Sequence, residues 1–431
     1  MGGVAIRGDV GVAPRVRVIG AGLSGLAAAV ELAAAGRQVS LYDQAGHAGG
    51  RCRSFFDETL CRTIDNGNHL VLSGNRSIAA YLARIGAGDR LTGPSRAAFP
   101  FIDLATGERW TVRPGAGRVP WWIFSDRRRV PGTRPGEYLS AWRLARAPAS
   151  ATVADCVGRS GALFRRFWEP LAVSALNTAA EEGAAGLLWP VLRETFGRGE
   201  AACRPRLAAR GLGHCFVEPA LEFLRRHGAE IRLHARLRAI ETEDRRIRRL
   251  RFSGGEDEDV GSGEAIVLAV PPAAAAGLVP GLTVPTSSRA IVNAHFLVRE
   301  AVAAPHFLGL IGAQAHWIFW RDDVASVTVS AADGLAEEKA DTVAACLWPE
   351  VRAALALPDE TPVAVRIVKE KRATFAQTPA EAVRRPSCRT RFENLFLAGD
   401  WTDTRLPATL EGSVRSGHTA AGYICESSSS A

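Results

Sequence analysis

Three separate clusters in this 431-residue chain bring residue types suited to cradling a phosphate. The first is Gly20-Ala21-Gly22-Leu23-Ser24-Gly25. In such a run Gly20 permits a tight turn, Gly22 lets backbone approach a pyrophosphate, and Gly25 lets a helix pack closely on a strand. The helix that follows would point free N–H groups and a positive dipole end at the phosphates. Asp43 closes the next strand, where a carboxylate accepts a ribose hydroxyl, with Gln44 beside it as a further candidate contact. An ordinary tight turn would need the same first glycine. The second cluster, Gly46-His47-Ala48-Gly49-Gly50-Arg51, lets main chain run along more phosphate and offers a guanidinium able to pair with it bidentately. Its bland counterpart is a glycine-rich surface loop.

The third cluster lies near the other end, in Leu395 to Trp401 and Pro407 to Ser413. Asp400, after Gly399 at the tip of an apolar run, suits hydrogen bonding to ribityl or phosphate hydroxyls. It would equally suit a helix N-cap. Thr409, Leu410, Glu411 and Gly412 open a last helix whose N-terminus would face the N1–C2 edge of a flavin and stabilise its reduced, anionic form. NAD and FAD both satisfy the first cluster; the second and third select FAD.

These residues need elements to hold them. Val16–Ile19 reads as a strand, Leu23–Ala35 as an Ala- and Leu-rich helix ended by Gly36, and Gln38–Tyr42 as a second strand. Residues 75–86 and 217–228 read as helices, Ile231–Ile240 and Ile247–Phe252 as strands, Ala265–Val270 and Leu395–Ala398 as buried strands. The last helix is expected to run to about Ile424. The fold expected is α/β: a Rossmann-type, glutathione reductase-like FAD domain with an inserted α+β substrate domain. The division is 1–85, 205–275 and 365–431 for the first, 86–204 and 276–364 for the second, with Trp317–Trp320 lining or closing the latter.

Composition narrows the function classes. The net charge of +8 comes from arginine, since Lys339, Lys369 and Lys371 are the only lysines. The arginines are scattered and no reading motif accompanies them, so no nucleic-acid partner is expected. The eight cysteines lack any C-x-x-C, which argues against a metal centre and fits a reducing compartment. Residues 1–15 lack the apolar core of a signal peptide. The uncharged stretch Ala265–Ser288 is broken by prolines and does not suit a spanning helix. The first dozen residues and Ser427–Ser430 read as loose ends.

From about Val16 to Tyr423 the chain resembles the hydroxysqualene dehydroxylases of bacterial hopanoid biosynthesis, FAD enzymes of the amine oxidase and phytoene desaturase superfamily. Beyond the glycine clusters, the resemblance rests on Asp65-Asn66-Gly67-Asn68-His69, Trp168-Glu169-Pro170-Leu171 with Ala175-Leu176-Asn177-Thr178, Lys369 to Phe375, and Leu406 to Gly417. Asn68 stands where many relatives carry Gln. The resemblance implies hydride transfer from reduced FAD to hydroxysqualene, with loss of its allylic hydroxyl as water. It adds Asn66, Gly67 and the backbone of Leu237 as cofactor contacts. His69 and Glu169, then Asp65, are the proton-donor candidates, although Glu169 beside Pro170 is better suited to starting a helix or pairing with Arg165 or Arg166 than to catalysis. The external electron donor has no signature. Because the substrate is an isoprenoid, Trp121-Trp122-Ile123-Phe124 with Arg127-Arg128-Arg129 is expected to touch a membrane surface, placing a cytoplasmic protein at the inner face. The rival readings are a carotenoid-type desaturase, an amine oxidase, and a non-enzymatic prenyl-binding escort protein. Intact Gly49-Gly50-Arg51 and Gly399-Asp400 argue against the last.

Overall fold

The structure is a computed structural model that describes residues 14–302 and 306–429. The β–α–β unit forms as expected: strand Arg15–Ile19, helix Leu23–Ala34, strand Gln38–Tyr42. Val16, Val18, Val39 and Leu41 are buried between layers, and the small Ala27, Ala28 and Ala29 let the helix lie close on the sheet. Five parallel strands make this sheet, in the order Glu230–Arg232, Gln38–Tyr42, Arg15–Ile19, Ala265–Leu268, Leu395–Leu397. It therefore draws strands from the beginning, middle and end of the chain, as expected.

The expected strand Ile231–Ile240 is instead two. Glu230–Arg232 joins the parallel sheet, while Leu237–Glu243 pairs with Arg246–Phe252 in a separate antiparallel sheet. Between them the chain crosses Asp43: Asp43 N–H donates to Arg232 O (3.0 Å), Ala235 N–H to Asp43 O (2.8 Å) and His234 N–H to Ala45 O (3.1 Å). His234 takes φ +59° to make this bend. Arg17, 4% exposed, joins the two sheets by pairing with Glu258 and Glu264.

A seven-stranded sheet makes the second lobe, in the order Ala364–Phe375, Ser288–Leu297, Val324–Val329, Trp317–Arg321, His306–Ile311, Phe99–Asp103, Arg109–Val112. Strand Ala364–Phe375 pairs with Ser288–Leu297. By hydrogen bonding it belongs to this lobe, although the sequence division at 365 put nearly all of it with the nucleotide domain. Trp317–Trp320 does not act as one lining. Strand alternation sends Trp317 and Phe319 to one face, while Ile318 and Trp320 join the core on the other.

The last helix is longer than expected, Leu410–Ser429, and takes in Ser427, whose hydroxyl donates to Tyr423 O (2.7 Å). Loose ends expected at the first dozen residues and at Ser430 lie outside the described residues. No helix among the described residues is long and apolar enough to cross a membrane; Ala265–Ser288 holds a strand and the short helix Pro272–Leu278.

The last helix packs on the first through Gly417, where an added Cβ would sit 2.3 Å from Ser24 O and 2.8 Å from Ala28 N. Gly417→Val is expected to lower stability by about 1–3 kcal/mol through overpacking, seen as a lower thermal midpoint; an unchanged midpoint would mean the helices are free to part.

Candidate functional site

The first glycine loop turns at Gly20, φ +106°, where a Cβ would lie 2.4 Å from Ala269 O. Gly25 packs so tightly beneath it that a Cβ there would meet Gly20 O at 1.8 Å. At Gly22 the opposite holds, with nothing within 4 Å of an added Cβ. Leu23 is buried and Ser24 half-buried at the start of the helix. The Asp43 carboxylate braces the turn from below, accepting from Ala21 N–H (2.7 Å) and Ala45 N–H (2.8 Å). Gln44 beside it is exposed.

The second loop lies against the first. Gly49 N–H donates to Ala21 O (2.8 Å), and a Cβ on Gly50 would meet the Gly22 Cα at 3.2 Å. Arg51 then reaches across 349 residues of sequence to Asp400. Its Nη2 lies 2.8 Å from each carboxylate oxygen, and Nη1 donates to Ala373 O. Asp400 raises the pKa of Arg51 while burial opposes it. No helix begins at Asp400, so it is not an N-cap; its partner is Arg51. Gly399 is held from the last helix, its N–H donating to Ser416 Oγ (2.9 Å).

In the first turn of that helix Thr409 Oγ1 accepts from Gly412 N–H (3.1 Å), and Leu410 is half-buried. The Glu411 side chain is engaged elsewhere than at the cofactor cluster. Its two oxygens accept from Ser77 and Ile78 N–H (3.0 Å each), capping helix Arg76–Arg84, so only its backbone is left to face a ligand. Leu237 is buried just past the bend that crosses Asp43.

Arg385 escaped the sequence reading. It is 8% exposed, donates to Asp400 O (3.2 Å), Thr404 Oγ1 (3.1 Å) and Thr402 O, and is held down to about 10 by burial. An Arg384-Arg385 doublet before a proline looks like solvated surface, and no pattern marks the second as internal.

The motif 65–69 ties the nucleotide sheet to the second lobe. Asp65 accepts from Leu212 N–H (2.8 Å), Ser54 Oγ and Arg321 Nη1 (3.0 Å). Asn66 O accepts from Asn293 Nδ2 (3.2 Å), Gly67 lies against the same amide, and Asn68 Nδ2 donates to Thr328 Oγ1 (3.0 Å). Three donors converge on the Asp65 carboxylate, whose oxygens thereby tie Ser54, Leu212 and Arg321 together. His69 has no hydrogen-bond partner among the described residues. Desolvation lowers its pKa to about 4, with Asp65 pulling upward and Arg51 adding to the fall.

Glu169 opens helix Glu169–Leu176 after a turn of π-helix at Phe164–Trp168. It forms no ion pair with Arg165 or Arg166 among the described residues. Arg166 is instead engaged by Asp103 (3.0 Å) and Glu108 (2.7 Å). Burial, then Glu181, raises the pKa of Glu169. The structure thus gathers the glycine loops, Arg51, Asp400 and His69, and no contact connects Glu169 to that group.

The gathered residues fit a flavin dinucleotide: open bare backbone at Gly22, a second glycine strip beside it, and an aimed guanidinium. The family model for flavin containing amine oxidoreductases matches residues 23–425. The chain belongs to that family. Among curated relatives of this flavoprotein oxidoreductase, the hydroxysqualene dehydroxylase of Sinorhizobium fredii is 47% identical over 94% of this chain and 97% of its own length. That of Rhodopseudomonas palustris is 45% identical over 95% and 98%. A triple mutant of putrescine oxidase has the same fold, with TM-score 0.69 at 16% identity over 96% of this chain and 99% of that one.

Arg51→Met should weaken flavin retention about ten- to a hundredfold, the scale of a lost charged hydrogen-bond pair, while Arg51→Lys keeps part of it; flavin absorbance after desalting reads the result. For pH, His69, His295 and His316 all sit at about 4, with burial the largest cause in each. Their ordinary value is about 6.5, so unfolding takes up protons between the two. This stability is fully present above about pH 6.5 and is lost as pH falls toward about 4. The thermal midpoint should fall across that window, less steeply in His69→Gln.

Proposed function

We propose that this flavoenzyme reduces hydroxysqualene, removing its allylic hydroxyl as water to give squalene. The similarity to hydroxysqualene dehydroxylases across nearly the whole chain carries this reading. We assign the cofactor contacts to Gly20–Gly25, Asp43, Gln44, Gly49–Arg51, Asn66, Gly67, Leu237, Gly399, Asp400 and the backbone of 409–412. The seven-stranded sheet and its helices we assign as the substrate lobe.

Bound flavin, once reduced, supplies the hydride; the chain must supply the proton that lets the hydroxyl leave. Glu169 suits that task best, because burial and Glu181 raise its carboxyl toward the protonated form against the smaller opposing pull of Arg165. His69, held neutral, suits a different one. A neutral ring beside Arg51 adds no positive charge where an allylic cation develops. Water is kept off by an aromatic face on the large sheet, where Trp317 stands 5.4 Å from Phe101 and 5.9 Å from Phe307, ring to ring. The substrate is apolar, so we place the enzyme peripherally at the cytoplasmic face of the membrane that dissolves it.

Anaerobically reduced protein mixed with hydroxysqualene should yield squalene and oxidised flavin. Recovery of unchanged hydroxysqualene would refute the reading. In the same assay Glu169→Gln should cut turnover by about 100-fold or more with flavin still bound; an unchanged rate removes Glu169 as the donor.

A further inference from the structure

Exposed apolar side chains are concentrated on one part of the molecule. Eight large hydrophobic residues are strongly exposed among the described residues, and five of them fall in a single stretch: Val119, Trp121, Phe124, Leu139 and Trp142. The last four are each at least 60% exposed. A soluble surface rarely groups two tryptophans, a phenylalanine and a leucine without a partner for them.

The patch is rigidly mounted. Trp121–Phe124 is one tight 3-10 turn whose middle pair, Trp122 and Ile123, is buried while Trp121 and Phe124 point out, 5.9 Å apart. Trp122 stands edge-on to Tyr138 at 5.6 Å. The Tyr138 hydroxyl is fixed by Val130 N–H (3.1 Å) and Thr133 Oγ1 (3.2 Å). The turn holding Tyr138, Pro135–Ser140, carries Leu139 outward and runs directly into helix Ala141–Leu144, which buries Leu144 and exposes Trp142. The outward rings therefore lose little freedom on docking.

Charge identifies what the patch meets. Arg118, Arg127, Arg134, Arg143 and Arg146 are exposed around it. The two acids in that span are occupied, Asp126 by Arg129 and Glu137 by the Arg134 N–H (2.7 Å). A cleft of about 590 Å³ opens beside Trp142, edged by Arg143, Arg146 and Asp155, the last paired with Arg159 (2.9 Å). Amphipathic rings ringed by arginines match the boundary between lipid headgroups and acyl chains. From the inner side of the patch, ring contacts lead from Tyr138 through Phe167, Phe196 and Phe99 to Phe307 on the large sheet, at 5.6–6.3 Å per step.

We propose that this surface seats the enzyme on an anionic lipid bilayer, with Trp121, Phe124, Leu139 and Trp142 inserted and the arginines paired with lipid phosphates. The proposal rests on the isoprenoid reading only for its purpose, which is to take substrate directly from the bilayer. It revises the sequence expectation: Trp122 and Ile123 are scaffold, and Leu139 and Trp142 complete the surface.

The full-length protein is floated with phosphatidylcholine vesicles with and without phosphatidylglycerol. The wild type should bind the anionic vesicles. The quadruple variant Trp121→Ser, Phe124→Ser, Leu139→Ser, Trp142→Ser should not. Charge reversal at Arg127, Arg134 and Arg143 should weaken binding about fivefold or more per arginine. Turnover of vesicle-embedded hydroxysqualene should fall with binding, and turnover of detergent-dispersed substrate should stay at the wild-type rate. Equal flotation of quadruple variant and wild type overturns the proposal, as does a variant that loses only self-association. Selective vesicle binding without turnover of either substrate form supports the surface and refutes the substrate reading alone.

Discussion

The nucleotide site depends on one ion pair, Arg51 with Asp400, made between residues at opposite ends of the chain. Asp400 is nearly buried at the tip of the last strand, while the Arg51 side chain keeps 44% exposure. The pair is thus neither a surface bridge worth about 0–1 kcal/mol nor a sealed one. Its greater effect is on preparation. A free arginine would spend rotamer entropy on meeting a phosphate; this one is already clamped beside two strips of bare glycine backbone. Arg385, donating to the Asp400 carbonyl from behind, keeps the carboxylate loop from yielding.

A second constraint fixes how the lobes face each other. The chain from Asp65 to Asn68 holds three different strands of the large sheet: Trp317–Arg321 through Arg321, Ser288–Leu297 through Asn293, and Val324–Val329 through Thr328. Next to this clamp comes His69. Its setting follows from the clamp, since it has no hydrogen-bond partner among the described residues. Glu411 works in the same way, capping a neighbouring helix so that the first turn of the last helix is anchored while its backbone stays free.

What could be read from sequence divides along physical lines. Gly20, Gly49 and Gly50 were legible because each takes a positive φ that favours glycine, and Gly25 because a Cβ there would meet Gly20 O only five residues away. Four strands of the five-stranded sheet were legible because short apolar runs next to glycines leave few alternatives. The break at His234 was not, since it is imposed by hydrogen bonds to Asp43 and Ala45, almost two hundred residues earlier in the chain. Strand Ala364–Phe375 was assigned largely to the wrong lobe because strand periodicity says nothing of which sheet a strand joins. Arg385, and the inward turn of Trp122 and Ile123, were hidden for a related reason: residue type gives hydropathy, and burial direction depends on the turn that carries the residue.

The electrostatics of the site bear on how an allylic alcohol would be opened there. If the proposed carbocation forms there, an imidazolium near Arg51 would add a second positive charge, and the low-dielectric surroundings that push His69 to about 4 would sharpen that repulsion. The same surroundings act oppositely on a carboxyl. Desolvation and Glu181 raise the pKa of Glu169 against Arg165, and a carboxyl in the donor role proposed for it would, after giving up its proton, leave an anion that attracts the cation. A protonated carboxyl therefore improves the electrostatics as the reaction proceeds. On the proposed reading, a protonated histidine near the arginine would spoil them before it began, and a neutral His69 would keep a clamped Arg51 compatible with cation chemistry.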